Sequence, residues 1–218
     1  MSKKASKEKQ SKQANDDQEG VDWYAATAVY GDIMRDFPTL RNFLGRLKVY
    51  NDATCVDLLA MAGSLHMRIN YSADLKTDFM IHPQKAVGED TQMVEASLII
   101  TDSHVTYPEQ AWIVGKGFAS FILKTVDYVS DFSEDDKTMQ KWTVESLAAA
   151  LLLPEDMVRH DTELAMKHNK AFLKVIDKAN VHQLFNSPHI SVITATAARL
   201  ANVPEWLMRQ RIDAVYNG

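Results

Sequence analysis

Apolar and polar positions along the chain change period twice. In DWYAATAVYGDIMRDF (22–37) the side chains Tyr24, Ala28, Ile33 and Phe37 recur at helical spacing, which predicts a helix that Pro38 ends. PTLRNFLGRLKVYN (38–51) and ATCVDLLAMAGSL (53–65) predict one or two further short helices. Alternation then takes over. Met67, Ile69 and Tyr71 point to one strand, and TDFMIHP (77–83) and ASLIITD (96–102) are two more β-type runs. The loops SADLK and KAVGEDTQ separate the three, which predicts a small antiparallel meander. Beyond it the pattern is helical to the end. One helix begins at Pro108 and runs to about Tyr128, and another spans about 136 to 153 and stops at Pro154. PEDMVRHDTELAMKHNKAFLKVIDKAN (154–180) is amphipathic, and SVITATAARLAN (191–202) and PEWLMRQRIDAVY (204–216) predict two shorter helices. Helices, a small sheet and then helices make an α+β fold.

Composition sets the limits of this picture. The chain has 218 residues, 46% of them apolar, enough for one sizeable core. Residues 1–20 are Lys, Ser, Gln, Asp and Glu with almost no apolar side chain; they cannot bury enough surface to offset their ordering entropy and read as a basic, polar, disordered tail. The remainder divides into a core with N-terminal helices over 21–170 and a helical module over 171–218. The net charge of −5 excludes a surface that attracts nucleic acid everywhere, though a local basic patch stays open. A single cysteine, Cys55, excludes a disulfide framework and a cysteine-based zinc site and suits a cytoplasmic protein. No run approaches the ~20 apolar residues of a membrane span. The basic start MSKKASKEKQSKQ leads into no apolar run, so no secretory signal is expected.

One stretch departs from helix economy. AWIVGKGFASFILK (111–124) holds Gly115 and Gly117 around the charged Lys116, and each mid-helix glycine costs roughly 1 kcal/mol relative to alanine. It also carries a resemblance. TVESLAAALLLPEDMVRH (143–160), through Leu147 to Pro154, is similar to a helix of the ImmA/IrrE family of bacterial and phage metallopeptidases. That family has a second helix of the form Gln-x-Phe-x-x-Ala-His-Glu-x-x-His-x-Leu-Leu, set after a short strand and a proline. Pro108, Gln110, Trp112, Phe121, Ile122 and Leu123 fall on its structural positions, and SLIIT lies just ahead. The likeness covers roughly residues 40–165, and AARLANVPEWLMRQRI resembles the helix-turn-helix-like end of many members. It implies a zincin-like minimal core, a small antiparallel sheet of about three strands packed on helices, with a helix-turn-helix-like tail.

The same alignment sets Lys116, Gly117, Phe118, Ala119 and Ser120 where the family has His-Glu-x-x-His. Two histidines four apart share a helix face and bind zinc, and the glutamate activates the bound water. Lys116 offers no lone pair, Gly117 no side chain and Ser120 only a poor ligand. The third ligand of the family falls at Thr143, with Glu145 close but off that register. No other histidine pair completes such a site; His160 and His168 stand about 12 Å apart along a helix axis. No metal, catalytic residue or cofactor is therefore expected. The resemblance implies a pseudo-peptidase that regulates by binding a DNA-binding repressor of a phage or mobile element. Three other readings stay open. Arg199, Arg209 and Arg211 of the last helices offer a DNA or partner contact. Lys116 and Ser120, four apart, form a potential base–nucleophile pair, and a residual metal-dependent peptidase is the third. Lys116 itself should find a carboxylate, Glu145 first and the SEDD loop second, or reach water along its flexible stem.

Overall fold

Strand pairing reaches further toward the N-terminus than the periodicity indicates. The computed structural model describes residues 23–25, 30–36, 38–45, 48–50, 54–84, 95–101, 105–125, 137–171, 173 and 189–217; the tail 1–20, the acidic loop 131–136, His104 and His182 lie outside them. β1 (Trp23–Ala25) pairs antiparallel with β2 (Lys48–Tyr50), with Trp23 opposite Tyr50. Both segments read as helical by spacing. Their Trp, Tyr and Val are strand formers, and each becomes a strand because the other supplies its backbone partners. Between them lie α1 (Gly31–Asp36), a 3-10 turn (Pro38–Leu40) and α2 (Arg41–Leu44). The predicted helix of 53–65 forms as α3 (Leu58–Ser64), where Asp57 Oδ1 accepts from the backbone N–H of Leu59 and of Ala60, both at 2.9 Å.

The α+β class holds, and the sheet has three strands, but it is mixed rather than a meander. β3 (Met67–Ser72), β4 (Phe79–Gln84) and β5 (Glu95–Thr101) lie in the order β3-β5-β4. β3 runs parallel to β5, and β4 antiparallel to it. The antiparallel expectation fails at the β3–β4 link, which carries the chain past the place that β5 then takes. Burial gives the reason. β3 buries only Met67 of its six residues, whereas β5 has Ala96, Ser97, Leu98 and Ile100 all buried, with Ile99 and Thr101 half-buried. A strand covered on both faces belongs at the centre. β4 is left at an edge.

α4 (Tyr107–Thr125) lies against β4 and β5. Its start is a capping box. The backbone N–H and the hydroxyl of Thr106 both donate to Glu109 Oε2, at 2.9 and 2.8 Å, which holds the Glu109 carboxyl below its ordinary range. Phe118, Ile122 and Leu123 are fully buried and join Leu98, Ile100, Leu147 and Leu151 in the main core. Each such side chain contributes about 1.5–3 kcal/mol by leaving water. α5 (Lys137–Leu152) packs beside α4 and hands over to α6 (Glu155–His168) at Pro154.

α6, α7 (Ile190–Ala201) and α8 (Glu205–Asn217) enclose a second core with the end of α5, built on Leu153, Val158, Ile193, Leu207 and Ile212. α6 thus packs with the C-terminal pair. Asn202 turns α7 into α8 at φ 53°, ψ 45°, the left-handed cap that asparagine tolerates. Leu58 and Trp112 touch both cores. No helix of the described residues is long and apolar enough to cross a membrane.

Candidate functional site

Burial on α4 is so extensive that its one polar ridge stands out. Ala111, Val114, Gly115, Gly117, Phe118 and Ala119 are buried, whereas Trp112, Lys116 and Ser120 are half-buried and Lys124 is exposed. Residues four apart share a helix face, so these four form one ridge. Lys116, Ser120 and Lys124 make one wall of a groove of about 570 Å³. Gln140, Lys141, Val144 and Glu145 of α5 form a second wall, and Phe79, Met80 and Ile81 of the edge strand β4 a third. Lys116, Ser120 and Glu145, three of the five residues expected at the site, therefore come together.

The other two do not. Gly117 faces the sheet: a Cβ there would lie 2.5 Å from Leu98 Cδ1 and 2.7 Å from Leu98 Cδ2. Gly115 makes the same kind of approach to α5, with Leu152 Cδ1 2.7 Å from where its Cβ would be. The glycine pair is thus explained by packing on two sides, one against the sheet and one against α5. Thr143 is buried, and Glu145, two residues on, faces the groove instead.

Lys116 does not pair with Glu145. Its Nζ donates to Asp78 Oδ2 at 2.5 Å, with side chains 16% and 60% exposed. The stem is covered and the head reaches the rim, as a long cationic side chain allows. Asp78 immediately precedes β4, so the same turn that places the edge strand delivers the carboxylate. Among the described residues Glu145 pairs with Lys141 of its own helix, at 3.9 Å, a surface pair worth little.

This arrangement restricts the chemistry. A lysine acting as base is desolvated and kept from counter-charges, and Lys116 instead has Asp78 against it, which does not suit it to activate Ser120. The zinc that the resemblance implies does not fit an ammonium, a glycine and a hydroxyl. Among the described residues no three His, Cys, Asp or Glu side chains converge to hold a metal ion. What the groove offers is a surface: three ammonium groups, one carboxylate from α5, an apolar floor and a strand edge.

No family model, curated protein or solved structure matches this chain.

The arginines of the C-terminal helices do not gather on one face. Arg211 Nε donates to the Leu153 carbonyl at 3.0 Å, tying α8 to the end of α5. Arg209 Nε donates to Asp213 Oδ2 at 3.2 Å and lines a hollow with Ser191 and Trp206. Arg199 lines another, between α6 and α7, with Leu164 and Lys167.

Two features escaped the sequence reading. Three tryptophans meet at the end of the α4 ridge, and the spacing of Trp112 four before Lys116 was the available signal. The other is Asp161 of α6. It is fully buried, neither oxygen has a hydrogen-bond partner among the described residues, and His160 Nδ1 is 3.8 Å away. Burial pushes its carboxyl up to about 8. Desolvation, and then the charges of Asp161 and Asp57, raise the Cys55 thiol, which sets Asp161 near the turn that precedes α3.

Proposed function

We propose that the chain is a catalytically inactive ImmA/IrrE-like pseudo-peptidase that regulates by binding another protein, a DNA-binding repressor of a phage or mobile element, in the cytoplasm. The observation that supports it most is the groove between α4, α5 and the edge strand β4, lined by Lys116 and Ser120, which the resemblance sets against the metal ligands of the family. An edge strand carries unpaired backbone N–H and C=O groups, so an extended segment of a partner has a strand to pair with and side-chain space beside it. Binding without cleavage suffices for regulation if the groove prefers one state of the repressor. The lone thiol Cys55 suits a reducing compartment.

The test is capture of the repressor by the full chain, followed by the mass of the captured protein and its affinity for operator DNA. The expected result is an intact repressor whose operator affinity changes on binding. Ser120→Trp, which fills the groove from a half-buried ridge position, should weaken the complex about tenfold or more. A repressor recovered cut, or binding indifferent to Ser120→Trp, rejects the proposal.

A further inference from the structure

Three of the chain's four tryptophans line a single hollow of about 280 Å³ at one end of the α4 ridge. Trp112 comes from α4, Trp142 from α5 and Trp206 from α8, with Glu145 and Gln210 also in the lining. Trp112 and Trp206 meet edge to face, centroids 5.3 Å apart at 88°, so two walls stand at a right angle. Trp142 is 62% exposed and Trp206 52%, a large apolar area to leave in water. We propose that this hollow is a cage for an organic cation, an ammonium or guanidinium head, and that its source is a basic side chain of the bound partner.

The chemistry favours a cation on three grounds. Indole faces are negative and attract cations within about 6 Å of the ring centroid. Trp112 already does so within the chain, with Lys116 Nζ 5.8 Å from its centroid, although Lys116 belongs to the neighbouring groove and not to the hollow. Glu145 adds a carboxylate, and its own contact, Lys141 at 3.9 Å, is 76% exposed and readily displaced. The volume falls below the ~300–1,000 Å³ usual for drug-sized ligands, which suits a single side-chain head. Stacked nucleotide bases would use the same rings, and competition with a single-stranded oligonucleotide separates the two ligands.

Glu145 lines both the hollow and the groove, so a segment lying in the groove can place a lysine or arginine among the rings. That assignment of the source rests on the proposed partner binding; the cage itself does not, and the two are tested separately. Tetramethylammonium chloride is titrated into the full chain while intrinsic tryptophan fluorescence and heat are followed. Sodium chloride matches the ionic strength, and tert-butanol serves as a neutral molecule of similar shape. A saturable response in the millimolar range is expected for tetramethylammonium and for N-acetyl-arginine amide, and for neither control. Trp142→Ala and Glu145→Gln, both at positions open to solvent, should each weaken it about tenfold. No saturation, an equal response to tert-butanol, indifference to both variants, or displacement by a single-stranded oligonucleotide overturns the cage. If the cage binds tetramethylammonium but Trp142→Ala leaves capture of the partner at full strength, the assignment to a partner side chain is overturned.

Discussion

Replacing Asp161 by asparagine will raise the unfolding free energy by about 2–4 kcal/mol at pH 8 and change it little near pH 4. The carboxyl is 0% exposed and has no hydrogen-bond partner among the described residues, and its folded-state value lies at about 8 against 3.8 in the open chain. Between those two values the unfolded chain has lost the proton that the native chain still holds. The native state then binds more protons, so stability falls as pH rises from about 4 to about 8 and levels off beyond it. The full shift corresponds to roughly 5–6 kcal/mol, and water entry and local relaxation reduce it. Asparagine keeps the shape and one unsatisfied polar head but cannot ionise, so the loss between pH 4 and 8 should largely disappear. Urea midpoints measured across that range decide the matter. A slope as steep in Asp161→Asn as in the parent protein would mean that another group carries it.

Asp161 also marks where sequence reading ends. Its neighbours Val158, Thr162 and Ala165 form a buried helix face that periodicity predicts, but a carboxylate on that face reads as a boundary residue until its burial is seen. The helices from Tyr107 onward were legible, because Pro108, Pro154 and Pro204 punctuate long apolar-periodic runs. The first strands were not. WYA and KVY become strands only through each other, and no local period records a partner about twenty-five residues away. Sheet order was hidden for a related reason: alternation gives each strand its faces, but only the continuous burial of β5 decides that it lies between β3 and β4. At the site, i, i+4 spacing correctly joined Lys116 to Ser120. The partner of Lys116 was missed because Asp78 lies 38 residues earlier in the chain, in a turn whose position depends on that hidden sheet order.

Gly117→Glu will cost about 3 kcal/mol or more, or prevent folding, whereas Lys116→His and Ser120→His will change stability by roughly 1 kcal/mol or less. The three positions are those at which the resemblance sets His-Glu-x-x-His, yet they face different surroundings. Lys116 and Ser120 line the groove, where a new ring meets open space. A Cβ at 117 would meet Leu98 Cδ1, Cδ2 and Cγ at 2.5, 2.7 and 3.2 Å. Leu98 is fully buried on the central strand, opposite Ile69 on one side and Ile81 on the other, so it has little room to turn away. Alanine gains about 1 kcal/mol of helix propensity over glycine and glutamate somewhat less, but overpacking costs about 1–3 kcal/mol and a buried, unpaired carboxylate adds more. Gly117→Ala isolates the packing part, and a lower urea midpoint is expected despite the better helix former. An unchanged or higher midpoint would show that Leu98 gives way, and the contact between α4 and β5 would then not be what requires glycine at 117. If instead Gly117→Glu folds as stably as the parent, the position is free to point into the groove, and the exclusion of a glutamate base there would rest on residue identity alone.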